Sequence, residues 1–199
     1  MKIQNKKIQV HKFLFELFGR ETTTFDLLVI VIGSLLVAGL TLILKWNSDI
    51  SNFKLIMLTI LSLDIAGGVI ANFTAGTTNY YAESLRKRYF FVLFHLLQPS
   101  ILIWIFPNEL RPILVISVFT LISSIIVLNL NKHYTQRITA ITLLLLSFIL
   151  SILLNFSDPL TQLLMQLFSI KLILAFSVNW SSSDKNEILT ENINNDPLT

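Results

Sequence analysis

Six long apolar blocks constrain this 199-residue chain more than anything else in it: Phe25–Leu44, Phe53–Phe73, Tyr89–Phe106, Pro112–Leu130, Ile138–Phe156 and Pro159–Asn179. A bilayer core of about 30 Å is crossed by roughly 20 apolar residues in a helix, and each block is close to that length. Only 14% of the residues are charged, against about a quarter in a typical soluble domain. Backbone amides in lipid must bond within their own segment, so spans of this length are helices and not strands. The sequence therefore predicts an all-α, polytopic bundle of six transmembrane helices. Residues 1–23 precede the bundle, 24–179 form it, and 180–199 are a polar, Asn-rich tail whose composition suits disorder. Ser157-Asp158, the whole connection between spans five and six, forces those two into an antiparallel hairpin.

The basic residues orient the bundle. Eleven lie on one side (Lys2, Lys6, Lys7, Lys12, Arg20, Arg86, Lys87, Arg88, Lys132, Arg137 and Lys185), and three on the other (Lys45, Lys54 and Arg111). By the positive-inside rule both termini are expected in the cytoplasm. The stretch Phe13–Phe18 is too short and too polar for a signal peptide, and the expected location is a cell membrane, the bacterial cytoplasmic one on composition. Clustering of the cations at span ends marks topology and argues against a nucleic-acid partner. Val10, Phe13, Leu14, Leu17 and Phe18 recur at helical spacing among lysines, which predicts an amphipathic helix over residues 3–20. Such a helix lies on an anionic leaflet or packs as a lead-in to the bundle.

Ionisable residues inside a span are costly and point to function. This chain has three: Asp64 in span two, His95 in span three and Lys171 in span six. Counted from the basic side at 1.5 Å per residue they lie about 13, 9 and 12 Å deep, in one slab of the membrane. Asp64, Gly67, Gly68, Ala71, Asn72 and Ala75 fall on one helical face, where small residues let another helix approach closely. His95 and Gln98 share a face of span three, and Pro99 frees a carbonyl one turn earlier, near His95. The expected intramembrane polar site is Asp64, Asn72, His95, Gln98 and Lys171, in a cleft between spans two and three that opens to the cytoplasm. Gly67, Gly68, Ala71 and Ala75 form the expected packing face. Tyr80, Tyr81, Arg86, Lys87 and Arg88 form an expected headgroup or phosphate patch. The Ser117, Thr120, Ser124 stripe and the Ser147, Ser151 pair read as contacts between helices.

Each polar residue also has a plainer role: Asp64 as a protonated packing residue, His95 as a core histidine bonded to a carbonyl, Lys171 as a side chain snorkelling to the interface. With no cysteine, disulfides and thiolate chemistry are excluded. HExxH, Walker and GxSxG motifs are absent, and one His with one Asp are too few for a zinc site, so no metal or cofactor is expected. No catalytic residue can be named, and the expectation leans away from an enzyme. Three functions fit: transport or permeation of a small solute or ion through the cleft, an inner-leaflet lipid-handling enzyme using an Asp64/His95 acid–base pair, and an accessory or structural subunit. Expected partners are the bilayer, anionic lipid headgroups, and a second copy or another membrane protein.

Overall fold

The computed structural model describes residues 6–180, so the tail from Ser181 and the first five residues lie outside the described part. Six helical segments among the described residues are long and apolar enough to cross a membrane. The chain has the architecture of a multi-pass membrane protein. The segments are α2 (Thr24–Lys45), α3 (Asn52–Asn72), the pair α5 (Leu85–Phe94) and α6 (Leu97–Ile105), α7 (Leu110–Leu128), α8 (His133–Leu153) and α9 (Pro159–Ser169). Residues Ile170–Phe176 extend α9 as a π-helix. Short polar residues set the starts. Thr23 and Asp26 form a reciprocal capping box for α2, and Ser51, Ser84 and Asp158 accept from the first turns of α3, α5 and α9.

The outside of the bundle is apolar, and its interior mixes polar side chains with apolar ones. Thr41, Ser62, Thr120, Ser147, Thr161, Ser169 and Lys171 are buried, while Leu36, Ile43, Ile122, Leu145 and Ile152 face outwards. In hydrocarbon, unlike water, helices associate through close packing and interhelical hydrogen bonds. Thr41 bonds Ser62 across α2 and α3 at 2.8 Å. Ser169 joins Thr120 of α7 (2.8 Å) and Ser147 of α8 (2.9 Å), tying three spans at one point. An apolar core of Leu58, Ile65, Ile113, Leu164 and Phe168 fills the space between α3, α7 and α9.

Contacts sort the connections into two ends. At the basic end Arg20 pairs with Glu83 (3.0 Å), Tyr89 donates to Asn129 (2.8 Å), and Arg88 reaches the carbonyls that end the π-helix. At the far end Lys45 pairs with Asp158 (2.5 Å), and the backbone amides of Ser157 and Asp158 donate to buried Glu109 at 2.8 and 2.9 Å.

The structure departs from the sequence expectations in four places. The described part of the helix expected over residues 3–20, from residue 6 on, is not one amphipathic helix. Lys7–Gln9 (β1) pairs antiparallel with Glu21–Thr23 (β2), and only a short 3-10 turn and α1 (Phe15–Phe18) are helical between them. Gly19, at φ +71°, breaks the helical period where the chain turns back into the β-branched Thr22-Thr23 strand. Helix α3 stops at Asn72, and Ala75 opens a separate helix, α4 (Ala75–Ala82). Ala75 therefore leaves the packing face and is exposed beside α1 and β2. Span three is broken at His95–Leu96, one turn before Pro99. Finally, α8 begins at His133, five residues ahead of the apolar block, because Gln136 bonds the Leu130 carbonyl and extends the helix into polar sequence.

Candidate functional site

A cavity of about 290 Å³ lies between α3 and α5–α6, with Lys171 as its floor. Asp64, Asn72, His95, Gln98 and Lys171 all line it. The rest of its wall is apolar and aromatic, including Tyr81, Phe91 and Phe94, and Leu17 of the N-terminal segment closes on it at the basic end. Ile60, Phe94 and Leu97 on the rim are more than half exposed, so the cavity opens sideways on the flank of the bundle as well as along it. A small, mostly apolar concavity with a few convergent polar groups is the usual form of a small-molecule site.

The chemistry centres on Asp64. Lys171 is 2% exposed and its Nζ donates to the Asp64 main-chain oxygen at 3.2 Å and to Oδ2 at 3.3 Å. The Asp64 side chain itself is 45% exposed, so the acid faces the cavity while its counter-charge is sealed beneath. Gln98 Nε2 donates to the same Oδ2. That bond fixes the amide's orientation, because the reverse would set its carbonyl oxygen against a carboxylate. Gly68 is what admits the lysine: a Cβ there would lie 2.2 Å from Lys171 Cε. Gly67 instead lets α2 in, its missing Cβ replaced by Ser34 Oγ at 2.5 Å. The two adjacent glycines, read from sequence as one seam, serve different neighbours. Ala71 is buried on the same helix and also lines the cavity.

His95 and Lys171 both sit where regular helix gives way. Pro99 cannot donate to the His95 carbonyl, which accepts from Gln98 N in a tighter turn (3.2 Å). His95 Nδ1 lies 2.7 Å from the Phe91 carbonyl oxygen, an acceptor only, so Nδ1 carries a proton, and in the neutral ring Nε2 is the acceptor. No hydrogen bond joins His95 to Asp64 among the described residues, although both line the cavity. Around Lys171 the wide turns run to Ser177, whose amide bonds Leu172 O five residues back (3.1 Å). π turns are rare and concentrate at functional sites. This one is anchored at its start by the Ser169 network and at its end by Arg88, which donates to Phe176 O (2.9 Å) and Ser177 O (3.1 Å).

Arg88 is therefore committed to the fold and does not share a surface patch with its neighbours. Lys87 lies 4.5 Å over the Tyr80 ring and near Glu83. Arg86 and Lys87 line a second cavity, about 420 Å³, with Tyr80, Tyr81, Phe90 and Phe94, so the expected patch residues other than Arg88 meet there. Tyr81 is buried in an aromatic cluster with Phe91 and Phe176. Sequence reasoning missed that aromatic wall and the part played by Leu17; the spacing of Phe91 to His95 and Phe94 to Gln98, both i to i+4, was the available signal. Among the described residues no group of three His, Asp or Glu side chains is placed to hold a metal ion. No family model, no curated protein and no solved structure matches the chain.

Proposed function

We propose that this protein moves a small solute across a cell membrane through the Asp64 cavity, with Asp64 as the recognition group and Lys171 as its tethered counter-charge. The observation that carries the reading is the Asp64–Lys171 pair where span three breaks and span six widens into π turns. Broken helices around a mid-membrane polar site are how many secondary transporters free backbone groups and allow rearrangement. Lysines and arginines concentrate at the basic end, which supports placing that end in the cytoplasm. A six-span chain is small for a transporter, and a second copy or a partner membrane protein completes it in this reading.

Solid-supported-membrane electrophysiology on proteoliposomes, challenged with a panel of amino acids, amines and organic acids, tests the proposal. A solute-driven current is expected with the wild type and abolished by Asp64→Asn. A current unchanged by that substitution, or a wild-type trace no different from empty liposomes, overturns it.

One observation favours a second reading, in which a lipid is handled. The cavity opens laterally past Ile60, Phe94 and Leu97, and the Arg86 cavity shares Tyr81, Phe91 and Phe94 with it. Arg86 offers a planar cation at the depth of an anionic headgroup. On this reading Arg86→Gln removes lipid co-purification, and the solute panel leaves the current flat.

A further inference from the structure

The polar groups of the Asp64 cavity define what it lacks. Asp64 and Lys171 cancel in charge, so net charge selects nothing; the unsatisfied atoms do. Gln98 Oε1 is buried with no partner, and Gln98 as a whole is 5% exposed. Asp64 takes both its side-chain bonds on Oδ2, leaving Oδ1 without a partner among the described residues. With Nδ1 spent on the Phe91 carbonyl, His95 Nε2 is an acceptor in the neutral ring. On the other side stands one orphan donor, Asn72 Nδ2. Buried polar atoms are nearly always satisfied, and an orphan beside a cavity marks a missing partner. Three acceptor atoms with no partner, against one such donor atom, favour a ligand rich in N–H groups, within walls of Phe91, Phe94 and Tyr81 that suit both an alkyl chain and a cation over an aromatic face.

The protein already holds a compound of this kind. Lys171 is a four-carbon alkyl stem ending in an ammonium on Asp64 Oδ2, fitted against Gly68. We propose that the cavity binds an organic ammonium ion, its nitrogen shared among Asp64 Oδ1, Gln98 Oε1 and His95 Nε2 and its carbon chain on the apolar wall. Lys171 is the built-in competitor: its ammonium occupies one oxygen of the acid and weakens a second cation there. This identification rests on the reading of the cavity as a solute site and adds the class of solute.

Three probes of one shape separate the possibilities: hexylammonium, hexanol and hexanoate, titrated calorimetrically into wild-type protein in nanodiscs, with empty nanodiscs subtracted. Hexylammonium is expected to bind about tenfold more tightly than hexanol, a difference of about 1.4 kcal/mol, and hexanoate not at all. Lys171→Met is expected to tighten hexylammonium about tenfold further, and Asp64→Asn to remove its advantage over hexanol. The wild-type series stands on its own if either variant fails to fold. Hexanoate binding as well as hexylammonium overturns the proposal by making Lys171 the recognition group. Hexanol equalling hexylammonium overturns it while leaving a solute site in place. Silence from all three removes the solute site as well.

Discussion

The described residues include two lysine–aspartate pairs, Lys45–Asp158 at the far end and Lys171–Asp64 in the middle of the bundle, and they differ in what is left over. Asp158 is fully employed: Lys45 takes Oδ1, while Thr161 N (3.0 Å) and Thr161 Oγ1 (2.6 Å) take Oδ2 at the start of α9. Both side chains are largely covered, at 15% and 17% exposure. Lys45 also lies over the Phe106 ring. In the inner pair the lysine is sealed and the acid is open, with one oxygen spare and a cavity in front of it. The same two residue types make a closed staple where every acceptor is used and an open acid where one is not. Ion pairing alone does not separate the two; asymmetric burial beside a cavity does.

That asymmetry gives the largest expected effect on stability. Asp64→Asn strands a buried ammonium, which typically costs about 3–5 kcal/mol. Lys171→Met leaves a carboxylate still held by Gln98 and open to the cavity, so it should cost at least about 2 kcal/mol less. Thermal melts of the two variants and of the double Asp64→Asn/Lys171→Met variant measure this, with the double expected to recover most of the loss. Equal losses from the two single variants would make the inner pair a staple like the outer one.

Next in size is Asp158→Ala, which removes an N-cap and an ion pair together. A lost cap costs about 1 kcal/mol, or roughly 2–4 °C in melting temperature for a chain of this size. Solute-driven current per folded molecule should be unchanged. A loss of current at normal stability would put the far end in the transport path and blur the contrast between the two pairs.

The smallest effect is in acid. Partial burial pushes the Asp158 carboxyl up, but hydrogen bonds from Lys45 and Thr161 and the Lys45 charge outweigh it, so Asp158 titrates below its ordinary value. A carboxylate with a lowered folded-state pKa contributes stability that is complete above its unfolded value of about 3.9 and is lost as pH falls through the lower folded one. Melting temperature below pH 4 should therefore fall less steeply for Asp158→Asn than for the wild type. Parallel curves would mean that the far-end pair contributes nothing through its charge.

The spans were legible because lipid permits so few solutions: twenty apolar residues between polar flanks read as a helix whatever their neighbours. The gathering of Asp64, His95 and Lys171 was legible through depth alone, since three costly side chains at one level in one bundle have few other places to meet. What depth could not supply was rotation about each helix axis. Sequence left open that Gln98 and Lys171 bond Asp64 while His95 bonds its own Phe91 carbonyl, because that choice depends on how α9 widens after Ser169. Arg88 shows the same limit. One basic residue in a run of three turns inward to end a helix, and only tertiary context distinguishes it from Arg86. The N-terminal hairpin departs from the helical expectation because a single glycine, whose positive φ decides the path, overrides five apolar residues at helical spacing.

That glycine has a mechanical consequence. A Cβ on Gly19 would sit 2.0 Å from the Gly76 carbonyl oxygen, and one on Gly76 would sit 2.5 Å from that of Phe18. The hairpin and α4 thus meet main chain to main chain, with no side chain between them to act as a cushion. Leu17 and Tyr81, one on each partner, both border the Asp64 cavity. Leu17 also accepts a hydrogen bond from Thr77 of α4 at 3.1 Å. The two cannot part without breaking that seam, so the hairpin and α4 border the cavity as one packed unit, and an opening that displaced α4 would have to carry the N-terminal strands with it.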